Sequence, residues 1–248
     1  MDQQLRPLLA KELLQVRRSK GATLSATLLP ILLMVVIPLG QAVATRGAPA
    51  GVNVPAGVTL PPGLAAVTTN PSRFFVEVLL PLYLALGGLI VPAISATYTV
   101  VAEREKRSLE LILALPVRLR DILVAKLLAM LILALVVVLP LFAVDAATLL
   151  ALGLVSWPYL ALLFAVLAAS LVCSTGIALV LALLARDFRT ANNLNGAMIG
   201  PLIIVMLGIL FGVPGAARIA ALAAFLLFAG SAAFIVGLRW LTFERYLA

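Results

Sequence analysis

The residues best suited to chemistry lie in one charged stretch, Ala102 to Lys126, which reads AEREKRSLELILALPVRLRDILVAK. Its run Glu103-Arg104-Glu105-Lys106-Arg107 sets carboxylates among cations. Such a run forms a solvated collar or pairs with charges on a partner. Ser108 can cap a helix, and Glu110 lies in its first turn, where a carboxylate suits the helix dipole. Leu109, Ile112 and Leu113 then make one short apolar face, and Pro116 stops the helix. A short helix with a greasy face and a charged collar is suited to dock into a groove of a soluble partner. On charge pattern alone the alternative is a loop lying on the lipid headgroups.

Other chemistry is poorly supplied. The chain has no His and a single cysteine, Cys173, so zinc, haem and His-based catalysis lack their usual ligands and bases. No G-x-x-x-x-G-K-[ST] phosphate loop is present, so ATP hydrolysis of the usual kind belongs on another chain. Glu77 follows Arg73 by four residues, which reads as a simple i,i+4 pair. The hydroxyls of Ser95-Ala96-Thr97-Tyr98-Thr99 and of Ser170 to Thr175 are more suited to bonding their own or a neighbouring helix than to holding a ligand. No catalytic residue, metal site or cofactor is therefore expected on this chain, and it reads as a non-enzyme.

The elements that would position the charged stretch are membrane helices. The chain has 248 residues, is 64% hydrophobic and only 11% charged, and its mean hydropathy is +1.20. Ordinary soluble domains are roughly half apolar and about one quarter charged. Six apolar runs reach the roughly 20 residues that a helix needs to cross a bilayer: residues 21–41, 74–101, 122–142, 157–184, 192–211 and 217–238. They are continuous rather than alternating, so the fold class is an all-α integral membrane protein, not a barrel. Pro30, Pro38, Pro81, Pro92 and Pro201 fall within the runs and can kink them. Asp121 can cap the third span. Residues 42–72, rich in Pro and Gly, read as a long outer loop, and 143–156, carrying only Asp145, as a connection that lies flat or dips into the membrane. Residues 212–216 form a tight turn.

Charge sets the direction. Fifteen of the eighteen Lys and Arg precede the first span, lie between the second and third, or follow the fourth and sixth; only Arg46, Arg73 and Arg218 fall on the other side. The positive-inside rule then places both termini in the cytoplasm of a multi-pass protein of the cell (inner) membrane. The net charge of +8 is thereby spent on topology and on anionic lipid, and no nucleic-acid partner is expected. Residues 1–20 form a separate element. Leu5, Leu8, Leu9, Leu13 and Val16 recur at helical spacing with Arg6, Lys11, Arg17, Arg18 and Lys20 around them, as in an interfacial helix lying in the headgroup plane. This segment lacks the plan of a cleaved signal peptide. Residues 21–248 read as a single transmembrane domain, with 102–121 as its cytoplasmic appendage.

The stretch after the second span resembles that of the permease subunits of ABC exporters of the type-two class, whose pattern is roughly E-x-E-x-G-T-L-E-x-L-L-x-x-P, then an acidic residue, a short gap and Lys. Glu103, Glu105, Leu109, Glu110, Leu113, Pro116, Asp121 and Lys126 match it; Ser108 stands for Thr and Arg107 for Gly. The interfacial helix with Lys11-Glu12-Leu13, the six spans, and a fifth span entered through Arg189-Thr190-Ala191-Asn192-Asn193 fit the same layout. The resemblance implies that 102–121 is a coupling helix resting on a separate ABC ATPase subunit, which carries ATP and Mg. It also implies that two permeases pair, as a homodimer, with substrate passing near their interface. A wall so poor in charge suits a lipophilic or amphiphilic cargo. The competing reading, an ion-coupled secondary transporter acting without an ATPase, calls for mid-membrane charges that these spans nearly lack.

Overall fold

The computed structural model describes residues 27–46, 70–96, 119–185 and 187–240. These form six helices long and apolar enough to cross a membrane, and no strand occurs among the described residues. They are α1 (Thr27–Thr45), α2 (Pro71–Ala96), α3 (Leu119–Ala151), α4 (Trp157–Leu184), α5 (Phe188–Gly212) and α6 (Ala217–Trp240). The fold is thus all-α, as expected from run length and composition. The interfacial segment 1–20 and most of the coupling segment 102–121 lie outside the described residues.

Local chemistry sets the helix starts. Asn70 Oδ1 accepts from the Ser72 backbone N–H at 3.1 Å and from the Ser72 hydroxyl at 2.6 Å, and Pro71 occupies the first helical position, where its missing donor costs nothing. Helix α5 starts at Phe188, four residues before the expected Asn192, because Asp187 caps it by accepting from the Thr190 backbone N–H at 2.6 Å and the Thr190 hydroxyl at 3.0 Å. These bonds hold its carboxyl below the usual carboxylate range, the backbone bond contributing most.

The largest difference from the sequence reading is in α3. It does not end near Phe142 but continues through Pro140 and Asp145 to Ala151, so 143–151 is neither a flat nor a dipping connection. Ala143-Val144-Asp145-Ala146-Ala147-Thr148-Leu149-Leu150 contains no breaker, and one Asp costs a helix little propensity. The stop comes at Gly153, whose φ of 65° closes the helix. The Leu154 N–H reaches back to the Leu149 carbonyl (3.1 Å) and the Gly153 N–H to Leu150 (2.9 Å), a Schellman motif.

Two helices carry a widened π turn, Leu32–Val36 in α1 and Phe75–Leu79 in α2, and each ends two residues before a proline, Pro38 or Pro81. A proline ring collides with the carbonyl four residues back. Widening the turn moves that carbonyl aside, so the helix absorbs the proline without breaking.

Helices α2 and α4 are central: 61% of the most apolar stretch of each is buried in the bundle, against 11% for α5. One apolar cluster joins α2 and α4 to α5 and α6 through Leu89, Cys173, Leu210 and Leu222; another joins them to α1 and α3 through Met34, Leu84, Val138 and Leu163. Small residues permit the tightest approach. A Cβ at Gly230 would lie 2.5 Å from Cys173 Cα, and one at Gly176 would lie 2.4 Å from the Gly230 carbonyl oxygen, so α4 and α6 pack backbone to backbone. The exterior is apolar, with Val136, Ile204 and Phe228 more than 60% exposed, as suits lipid around the bundle.

Candidate functional site

One cluster of polar groups lies where α2, α4 and α6 begin. The π turn of α2 makes the first of these contacts necessary. The Leu80 N–H bonds to Phe75, and the next residue, Pro81, has no N–H, so the Val76 carbonyl has lost both donors its own helix could offer. An unpaired carbonyl is costly in a medium without water. The Tyr159 hydroxyl of α4 donates to it at 2.6 Å, across 83 residues of sequence.

Glu77, one residue on, faces α6. The Arg218 guanidinium approaches its Oε2 to 3.4 Å, while Arg218 Nε donates to the Gly215 carbonyl at 3.1 Å in the turn before α6. Arg218 is only 2% exposed and Glu77 is 31% exposed. The i,i+4 pairing of Glu77 with Arg73 expected from spacing is therefore replaced by a pairing between helices. Burial explains the choice. A guanidinium taken out of water must meet a counter-charge, whereas Arg73 is exposed and already solvated.

A cavity of about 600 Å³ opens beside this cluster. Its polar wall comes from Asn70, Ser72, Arg73, Glu77, Ser156 and Tyr159, and its apolar wall from Val76, Leu154 and Val155 around Gly153. The helix caps on Asn70 and Gly153 thus also shape the cavity rim.

A second polar feature stands apart. Asp145 of α3 is 1% exposed, and neither carboxyl oxygen has a hydrogen-bond partner. Run length alone places Asp145 in a connection; its helical spacing to Leu149, also buried, is the signal that places it inside. Elsewhere hydroxyls bond backbone, as expected: Ser95 to Val91, Ser170 to Leu167 and Thr175 to Leu171 within their helices. Ser174 instead reaches the Leu89 carbonyl of α2. Among the described residues no cluster of three or more His, Cys, Asp or Glu could hold a metal.

Glu103, Glu105, Ser108, Leu109, Glu110, Ile112, Leu113 and Pro116 of the expected coupling site lie outside the described residues. So do Leu5, Leu8, Leu9, Lys11, Leu13, Arg17 and Arg18 of the interfacial helix. Of the motif's tail, Asp121 lies in the first turn of α3, and Lys126 is 1% exposed one turn further in.

The family model described as ABC-2 family transporter protein matches residues 41–247, five of the six helices and the whole charged stretch. The chain belongs to the ABC-2 transporter family. It is accordingly the membrane component of an ABC transporter, a multi-pass permease that is not itself catalytic and whose family associates with an ABC ATPase subunit. No curated protein and no solved structure matches the chain. The polar cluster ties three helices of this permease together, and the adjoining cavity of about 600 Å³ is within the size range of small-molecule sites.

Proposed function

We propose that this ABC-2 permease is the membrane-spanning subunit of an ATP-driven exporter in the cell (inner) membrane, with both termini cytoplasmic. Two copies form the path by which a lipophilic or amphiphilic small molecule leaves the cytoplasm. The observation that carries this reading is the family match over residues 41–247, which includes the segment 102–121. That segment is the contact with the ATPase, on which ATP and Mg reside, and Glu103, Glu105, Glu110 and Leu113 receive its stroke. Motion passes as rigid-body displacement of the two spans that flank it.

The charge-poor spans support an apolar or amphiphilic cargo, since a charged cargo would call for compensating residues along its path. The exposed face of α5 supports a homodimer. It carries two small-xxx-small pairs, Gly196 with Gly200 and Gly208 with Gly212, and a Cβ at any of the four would meet nothing within 4 Å.

The test is reconstitution with the ATPase that co-purifies with the permease, followed by ATP-dependent uptake of an amphiphilic dye into inverted vesicles. Uptake is expected with ATP and Mg and none without. Replacing both Glu105 and Leu113 with Ala is expected to leave ATP hydrolysis running while dye uptake falls to background. Uptake driven by an ion gradient in the absence of ATP would sink the proposal.

A further inference from the structure

We propose that the cavity at the start of α2 and α4 binds the head group of an anionic amphiphile, with Arg73 as its anion-binding residue. Three observations carry the assignment. The volume, about 600 Å³, lies within the range of small-molecule sites, roughly 300–1,000 Å³. The charge balance favours an anion: Glu77, the one acid among the described wall residues, is met by Arg218. The Arg73 guanidinium is exposed and makes no ion pair among the described residues. The lining is also divided, with Ser72, Ser156 and Asn70 offering hydrogen bonds beside Arg73, and Val76, Leu154 and Val155 offering an apolar surface. A polar head with an attached chain can use both walls, whereas a free oxyanion can use only one.

A guanidinium suits phosphate or carboxylate because its planar fork donates two parallel hydrogen bonds. Both occur on lipids and as free ions, so the shared chemistry is an oxyanion, and the apolar wall selects the amphiphile. The site stands independently of transport direction and of the ATPase, so it can fail while the export reading holds, and the reverse.

Trp157 follows the wall residue Ser156 in the chain and is 75% exposed, which makes it a reporter once Trp240 is replaced by Phe. The purified full-length permease in uncharged detergent is titrated with brominated phosphatidic acid and, separately, with brominated phosphatidylcholine, and quenching of Trp157 is followed. Phosphatidic acid is expected to quench at roughly tenfold lower mole fraction, the size of one charge-assisted hydrogen bond. Arg73→Gln should erase that preference, and Arg73→Lys should keep most of it. Equal quenching by the two lipids, or a preference that survives Arg73→Gln, would overturn the proposal. Displacement of phosphatidic acid by millimolar inorganic phosphate would overturn the amphiphile assignment, because a free ion would then suffice. No displacement supports it.

Discussion

Tyr159 and Val76 show how a single backbone irregularity recruits a side chain. The π turn before Pro81 orphans a carbonyl, and a phenol 83 residues away in sequence fills it. Tyr159→Phe should lower stability by about 1 kcal/mol, the cost of losing a part-buried hydrogen bond, with the loss read as an earlier thermal midpoint in detergent. The Glu77–Arg218 pair should respond unequally to its two deletions. Glu77→Ala leaves a guanidinium buried without its counter-charge and should cost about 3 kcal/mol or more, whereas Arg218→Met leaves a carboxylate that can still reach water and should cost less. Equal losses would contradict this account. Asp187 carries a pH dependence. Its carboxyl is held below the usual range when folded, so its stabilisation of the α5 start is complete above the ordinary carboxylate pKa, near 3.9, and is lost as pH falls through the lowered value. Faster amide exchange at Phe188 to Ala191 under acid, absent in Asp187→Asn, is the expected signature. Little of this was legible from sequence, because local spacing offers Glu77 only Arg73, and nothing in a linear pattern announces Arg218 or the phenol.

At the scale of elements the run lengths and the prolines were informative, and the ends of the helices less so. Six spans could be read because each apolar run matches the bilayer, and the caps at Asn70 and Gly153 use residue types known for those places. The continuation of α3 to Ala151 was hidden by Asp145, since a charge in an apolar run looks like its end. The α4–α6 seam makes a sharper prediction than either cluster of larger side chains. Gly230→Ala would drive a methyl against Cys173 backbone and should cost about 1–3 kcal/mol by forcing the helices apart. Gly196→Ala and Gly208→Ala, on the open face of α5, should leave the monomer's thermal midpoint unchanged or slightly raised, since alanine is the better helix former. A drop in cross-linked dimer in the α5 variants alone would therefore report on contacts between copies.

For the whole molecule, the order of elements matters more than any single contact. Helix α3 begins at Leu119, inside the segment that joins spans two and three, and ends at the Gly153 motif, immediately before Leu154 and Val155 of the cavity wall. Its 33 residues make a rod about 50 Å long, well beyond the roughly 30 Å hydrocarbon core. Such a rod is a lever that reaches from one membrane face to the other without a joint other than Pro140. A tilt of about 10° about one end carries the other roughly 9 Å sideways, by the geometry of a straight helix. A small rotation of α3 at its Leu119 end would thus be read as a wide displacement of the cavity rim, with the length of α3 setting the ratio between them.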